Sequence, residues 1–380
     1  MNIAIIGSGI SGLTTAYLLQ KKHQVTVFES ALRIGGHTAT MQVPEGNSQR
    51  AIDTGFIVFN DWTYPNFIRL MDELGVASSP TEMSFSVSCQ NTGLEYGGNN
   101  LNTLFAQRRN VFNWSYLGML KDIMRFNKEA IQDLESGELE EGLSLGEYLQ
   151  KKGYGARFAS HYLIPMGSAI WSATLAEMMD FPLVFFVRFF KNHGLLSVNN
   201  RPQWRVIKGG SSAYLMPLIA SFQDNIRTNS QIKKVVRLDD SVELHFAQGE
   251  VERYDQVVFA CHSDQALALL DDASEAEQAI LSAIPYRNNE VVLHTDTRLL
   301  PKAKLAWSSW NYHLAKSQSQ AGSPKRAIKS RRFRWMQPIA RKPSSWPTAR
   351  LRWLCGALNQ TTQRARVHSG MRKTMSIIII

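Results

Sequence analysis

The run Met1–Ile6 (MNIAII), Gly7-Ser8-Gly9-Ile10-Ser11-Gly12, Val25–Phe28 and Glu29, closed by Arg33-Ile34-Gly35-Gly36-His37, decides the fold. An apolar strand (Ile3, Ala4, Ile5, Ile6) leads into the glycines, and a helix-compatible stretch from Leu13 to Gln20 leads out of them. A second apolar strand (Val25, Val27, Phe28) then ends on an acid. This order reads as a βαβ unit with a dinucleotide site in its first turn. Gly7 permits the tight turn, Gly9 lets backbone approach a diphosphate, and Gly12 allows the helix to pack closely on the strand. Ser11 lies in the first helical turn, whose N–H groups and positive dipole end suit phosphate. Glu29 suits the two hydroxyls of a ribose.

The glycines alone suit more than one dinucleotide; the segment after Glu29 narrows the choice. Arg33 and the Gly35-Gly36 pair follow the acid within seven residues, and His37 closes the element. This arrangement resembles the extended FAD fingerprint of the flavin amine oxidase, phytoene desaturase and protoporphyrinogen oxidase superfamily, an acid followed by R-x-G-G-[RH]. The resemblance implies that Arg33 lies near the FAD phosphates and that Gly35-Gly36 lets backbone approach the cofactor. Asp53-Thr54-Gly55-Phe56 resembles the D-x-G element that follows in these families, close to the flavin. FAD is therefore the expected cofactor. The expected fold is α/β: a Rossmann-like FAD-binding domain with an inserted, mainly helical α+β substrate domain.

Further along, Trp204–Gly210 (WRVIKGG) and a helix over 211–222 are read as the return to the cofactor domain. Strands at 226–227, 232–238, 242–246 and 251–260 follow. In the resembled families a similar helix carries a valine or isoleucine whose backbone reaches the FAD adenine. Ile232, three residues before Val235, fits that V-x-x-I-like element. The strand Tyr254–Ala260 (YDQVVFA) matches a D-x-V-[VI]-x-A strand that returns to the site, which adds Ala260 to the expected cofactor-binding residues. The expected domains are 1–60 with 205–265 for FAD and 61–204 with 266–314 for substrate.

The insertion is rich in large apolar side chains, including Phe112, Trp114, Tyr116, Tyr162, Met166, Trp171, Phe181, Phe185, Phe186 and Phe189. Ordinary helical core accounts for most of them, and a few are expected to line an apolar pocket over the flavin. Helices are read at 67–74, stopped by Gly75, and at 116–134. Ser144 and Glu147 have capping-box spacing before 148–152, with Gly153 as the stop. The apolar stretch 178–190 is interrupted by Asp180, Pro182 and Arg188, so it reads as core or pocket wall rather than membrane span.

The net charge of +10 invites a nucleic-acid partner, and its distribution removes that reading. After Asp296 the chain has no acid, yet 18 of its 42 basic residues lie there, leaving 24 basic against 32 acidic residues before it, a net of −8. No nucleic acid is expected as partner; a hydrophobic small molecule or lipid is expected as substrate, and weak peripheral membrane contact stays open. Three widely spaced cysteines (Cys89, Cys261, Cys355) argue against a disulfide framework and for a reducing, cytoplasmic setting. The histidines are scattered and no cysteine pair has metal spacing, so no metal site is expected. The strand beginning at residue 3 leaves no room for a signal peptide in the chain as read.

The phrases YLIPMGSAIWS (162–172), VLHTDTRLLP (292–301) and AWSSWNYHL (306–314) resemble a bacterial group of predicted NAD/FAD-binding proteins within the superfamily. Members of that group are often linked with fatty-acid-modifying enzymes, which implies an acyl-chain or lipid substrate. The resemblance stops near residue 315. The closing strand and the E-D-G element of the superfamily are not found; Leu354-Cys355-Gly356-Ala357 only faintly matches the strand. A shifted reading frame or truncation is the expected origin of 315–380, which makes a catalytically defective flavoprotein the alternative to a working FAD-dependent oxidoreductase; a basic arm that binds anionic lipid or nucleic acid also stays open. Amine oxidases of the superfamily place a lysine near flavin N5. The matching strand here, read over 286–294, offers Asn288 or Asn289, which lowers the amine-oxidase reading and favours a desaturase- or oxidase-like hydride transfer. No catalytic set stands out, and His294 reads as a strand residue rather than a base.

Overall fold

The computed structural model describes residues 1–139, 142–286, 288–315 and 350–353. Its organising sheet is parallel, with strand order Ile226–Arg227, Gln24–Phe28 (β2), Asn2–Ile6 (β1) and Gln256–Phe259. The helix α1 (Ile10–Leu19) connects β1 to β2, as the glycine spacing predicts. β1 is buried because strands flank it on both sides, and Ala4 and Ile5 are wholly enclosed. On one face of this sheet, Ile3, Ile5, Val25 and Val27 pack with Leu13 of α1, Leu218 and Met71. On the other, Ala4, Ile6 and Phe28 pack on an antiparallel meander, Ile232–Arg237, Val242–Phe246 and Val251–Tyr254.

The helical domain has its own core. The long helix Trp114–Ser136 buries Tyr116, Met119, Phe126 and Ala130, where they meet Tyr148, Phe158, Leu183, Phe186 and Phe190. Ser144 and Glu147 form the expected capping box ahead of Leu145–Lys151. The strand Phe85–Cys89, paired with Glu95–Gly97 and with Trp310–Leu314, closes one side. Between the two cores lies a small sheet in which Trp204–Ile207 pairs with both Phe59–Asn60 and Ser78–Thr81.

Several expectations are corrected. Residues 251–260 form two strands, because Asp255 bonds Asn2 in both directions (Asn2 N–H to Asp255 Oδ2, 2.7 Å; Asp255 N–H to the Asn2 carbonyl, 2.9 Å). The chain thereby leaves the meander and enters the parallel sheet. Pro217 limits regular helix at 211–222 to a 3-10 turn, Ser211–Tyr214, and Leu215–Ile219. The strand read from Ile232 does form: Ile232 pairs with Phe246 and packs against the meander core. His294 follows the strand Asn289–Val292, and its Nδ1 accepts the Asp296 N–H at 3.0 Å. Phe112 and Trp114 are 87% and 85% exposed, so neither is core nor pocket wall.

The packing also redistributes the domains. Helices Ser263–Leu269 and Glu275–Ser282, which lie in the sequence-assigned substrate segment from residue 266 onward, cover the meander through Ala266, Leu270 and Leu281. Pro65–Glu73 likewise buries Met71 against the parallel sheet. Leu354–Ala357 and most of 315–380 lie outside the described residues.

Candidate cofactor site

The site is built from backbone at the C-terminal ends of β1 and β2, where open α/β sheets receive ligands. Gly7 (φ +109°) donates its N–H to the Phe28 carbonyl at 2.8 Å. A Cβ on Gly7 would stand 2.5 Å from the Ala260 carbonyl oxygen, and one on Gly12 would stand 1.9 Å from that of Gly7. Strand, turn, helix and the returning strand therefore meet at contact distance. Ala260, bonded through its N–H to the Ile6 carbonyl at 2.8 Å, is held small by the same crowding: its own methyl is 3.2 Å from that Gly12 position.

Gly9 behaves differently. It is the N-cap of α1, and a Cβ there would meet nothing within 4 Å. The helix carries neither a capping side chain nor an acid in its first turn, which contains Ser11. Uncapped N–H groups beside open space form an anion-receiving cradle. The Arg33–Thr38 loop roofs one side of it. Gly36 (φ +54°) brings its backbone so near that a Cβ would be 3.1 Å from Gly9 Cα, and the Gly35 N–H bonds the Ser8 carbonyl at 2.9 Å. Arg33 donates to the carbonyls of Gly36 (2.8 Å) and Thr38 (2.7 Å), setting the shape of that loop. Burial lowers its pKa from the usual arginine value, with the Glu29 charge opposing.

Glu29 ends β2 on the far side of the turn. Its Oε2 accepts the Ser8 N–H (3.1 Å) and hydroxyl (2.5 Å), and its Oε1 accepts the Ala31 N–H (2.9 Å). Together with a longer bond from Ser30 Oγ to Oε1 (3.4 Å), these orient the carboxylate at the end of β2, and the weak Ser30 bond is the one a ligand hydroxyl would replace. Asp53 has a different task. Its Oδ1 accepts from Thr40 Oγ1 (2.6 Å), the Ser211 N–H (2.8 Å) and Ser211 Oγ (2.9 Å), so it ties the hairpin Thr40–Asp53 to the Gly209-Gly210 turn. A Cβ on Gly55 would lie 2.0 Å from the His37 carbonyl oxygen, which the Phe56 N–H also reaches at 2.9 Å. Asp53 and Gly55 are thus seen holding the loop behind the cradle, and Ile232 sits within the meander core.

Sequence reasoning missed a row of three rings at the edge of the cradle. His37 stacks on His262 (5.7 Å between centroids, 17°), and His262 on Tyr286 (4.4 Å, 9°). Tyr286 Oη accepts the Ser263 N–H at 3.1 Å. Burial lowers the His262 pKa, His37 lowers it further, and Asp264 opposes. The only local signal was the phrase Ala260-Cys261-His262 directly after the returning strand. The cradle also concentrates polar groups: Ser8, Thr38, Thr54, Ser211 and Ser263 are buried around it.

The residues present fit a dinucleotide: an open glycine beside uncapped N–H groups, a close second glycine backbone, and an oriented carboxylate at the end of β2. The fold is α/β, a Rossmann-like domain with a helical insertion. The model of the family described as flavin containing amine oxidoreductase matches residues 10–345, and the chain belongs to that family.

Curated relatives include 15-cis-phytoene desaturases. That of Glycine max is 26% identical over 289 residues, covering 72% of this chain and 49% of the relative. That of Arabidopsis thaliana is 26% identical over 292 residues, covering 72% and 50%. The chain spans about half the length of these relatives. Among solved structures, cyclohexylamine oxidase from Brevibacterium oxydans IH-35A superposes with a TM-score of 0.60 at 17% identity, covering 82% of this chain and 69% of that one. A CLA-producing fatty acid isomerase from P. acnes gives 0.53 at 19% identity, covering 78% and 67%. These two likenesses establish the shared fold.

Proposed function

We propose that this protein is an FAD-dependent oxidoreductase acting on a hydrophobic substrate of acyl-chain or polyene character. The observation that carries the reading is the juxtaposition at Gly9: open space above an uncapped helix terminus, walled by the Gly36 backbone, with the Glu29 carboxylate beside it. In this reading the α1 N–H groups and the Gly9 and Gly36 backbones face the FAD diphosphate, Glu29 accepts the adenosine ribose hydroxyls, and Arg33 holds the loop that closes over them. Bound flavin supplies a two-electron acceptor for the hydride of a substrate C–H bond.

The helical domain contributes an apolar interior that excludes water. Trp171 has Phe181, Phe186 and Phe189 around it, with ring centroids 4.6, 5.5 and 4.8 Å away. The printed names of the phytoene desaturase relatives support a long apolar chain as substrate. Loss of the hydride leaves the neighbouring C–H strongly acidic, so the proton that must depart to complete the double bond can pass to a weak base or to water.

The test is purification of the full chain followed by its visible spectrum. The two absorption bands of oxidised flavin, bleaching on addition of reductant, are expected, with FAD rather than FMN released on denaturation. A folded chain that stays colourless after incubation with excess FAD would overturn the proposal and favour the defective flavoprotein expected from the altered segment after residue 315. Release of FMN would overturn the FAD assignment alone.

A further inference from the structure

Far from the cradle, the helical domain turns a basic, aromatic edge to solvent. Phe112 and Trp114 are 87% and 85% exposed, and Leu101, Val111 and Met124 join them at 74%, 45% and 56%. These side chains are held out by a backbone that two helix caps fix. Asn113, between the two aromatics, caps the long helix by accepting the Tyr116 N–H at 3.1 Å. Tyr116 is buried, with its hydroxyl on the Leu104 carbonyl at 2.6 Å, and so anchors the turn from inside. Asn100 and Thr103 form a capping box that fixes the neighbouring turn carrying Leu101.

Charge gives the edge its partner. Between Leu101 and Lys128 the basic residues Arg108, Arg109, Lys121, Arg125 and Lys128 face one acid, Asp122, in a body whose first 296 residues are net acidic. Asp122 is already engaged by Arg125 and by the Gly155 N–H. Arg108, Arg109, Lys121 and Lys128 are exposed and take part in no ion pair among the described residues. Arg108 instead donates to the Phe105 carbonyl at 3.0 Å, which braces the tip. Along the long helix, Trp114, Gly118, Lys121, Met124 and Lys128 form one exposed stripe at helical spacing. Aromatic rings at one end with long cationic side chains beside them is the chemistry of the bilayer interface: rings enter the headgroup boundary while lysines snorkel to phosphate.

We infer that the edge formed by Phe112, Trp114 and the Lys121–Lys128 stripe is a docking surface for an anionic lipid bilayer. The helix lies along the membrane plane with the two aromatics inserted at headgroup depth, and Arg108 and Arg109 meet lipid phosphates. The surface acts without cofactor or turnover, so it stands apart from the proposed reaction.

Co-sedimentation of the full chain with vesicles of phosphatidylcholine, with or without phosphatidylglycerol, tests this. Binding to the anionic vesicles is expected, weakening with added salt. The double variant Phe112→Ser/Trp114→Ser should lower their affinity about tenfold or more, by loss of inserted apolar area. Lys121→Glu/Lys128→Glu should lower it comparably at low salt. All four side chains are exposed, so circular dichroism and the melting temperature should match the parent. Brominated lipids should quench fluorescence in the parent and less in Trp114→Phe. If the parent ignores anionic vesicles, the inference fails. It fails equally if the aromatic variants bind as the parent does, since the basic segment after residue 296 would then be the contact. A dimer that dissolves in Phe112→Ser/Trp114→Ser, with no vesicle binding, would assign the edge to a second copy of this chain.

Discussion

The glycine cradle and the aromatic core of the helical domain are built on opposite terms. In the cradle, backbones touch: Gly12 on Gly7, Gly7 on Ala260, Gly55 on His37, Gly36 on Gly9. In the helical core, backbones stand apart, and rings such as Phe126, Phe158, Phe186 and Trp171 fill the gap. One added methyl is intolerable at the touching glycines of the first region, whereas the second answers to volume. Under the proposed reading, cofactor recognition resides in positions defined by absent atoms; stability of the helical domain resides in positions defined by bulk.

The comparison can be broken at its most crowded point. Gly12→Ala puts a Cβ 1.9 Å from the Gly7 carbonyl and should separate α1 from β1, costing more than about 4 kcal/mol and abolishing flavin retention. Thermal unfolding together with flavin content of the purified variant reads this; a normal melt with full flavin would refute the argument. In the helical core, Phe186→Ala should cost about 3–5 kcal/mol, because Phe186 is fully buried and stacks on Phe190 at 4.1 Å. Phe186→Leu should cost much less. Flavin bound per folded molecule should be unchanged in both.

Gly9→Ala sharpens the contrast. The new methyl meets nothing in the protein, so stability should change by only about 1 kcal/mol, through N-cap preference. The methyl would stand in the space assigned to the diphosphate, so FAD affinity should fall on the order of tenfold or more, measured by titration of the apoprotein. Equal affinity would remove Gly9 from the site.

The smallest effect is pH dependence, spread over both regions. Burial lowers the pKa of His161 and His193 in the helical domain and of His262 beside the cradle. The unfolded chain then binds protons that the folded chain refuses. Stability is complete above the ordinary value of 6.5 and declines as pH falls from there through the lowered folded values. His193 stacks on Phe189 at 3.9 Å and lies 6.3 Å from Trp204 of the connecting sheet. His193→Phe should flatten the fall in melting temperature between about pH 8 and about pH 5, and an unchanged slope would rule out His193 as a contributor.

Much of the cradle was legible because its signals are local. Gly7, Gly9, Gly12 and Glu29 act within one βαβ unit, and Arg33 to His37 follow directly, so spacing along the chain is close to spacing in space. Less legible were partners brought from far away. His262 reaches the edge of the glycine turn just beyond Ala260, whose returning strand was readable, and Asp53 grips Ser211, 158 residues further along the chain. In the insertion, the capping box at Ser144 and the helix stops at Gly75 and Gly153 were readable, each being a few-residue signal. Which aromatics were inside was not. Tyr116 and Trp114 are two residues apart on one helix, yet one is enclosed and the other bare.

The sequence by itself determined that β1, α1 and β2 form a dinucleotide turn of the flavin type, because each requirement there is imposed by neighbours in the chain. Only the tertiary structure decided that the cradle is edged by the His37–His262–Tyr286 row, that the helices within 263–282 cover the meander, and that Phe112 and Trp114 face outward. Those outcomes depend on which distant surfaces meet. Hydrophobic burial, being non-directional, leaves that choice to the packing of the whole chain.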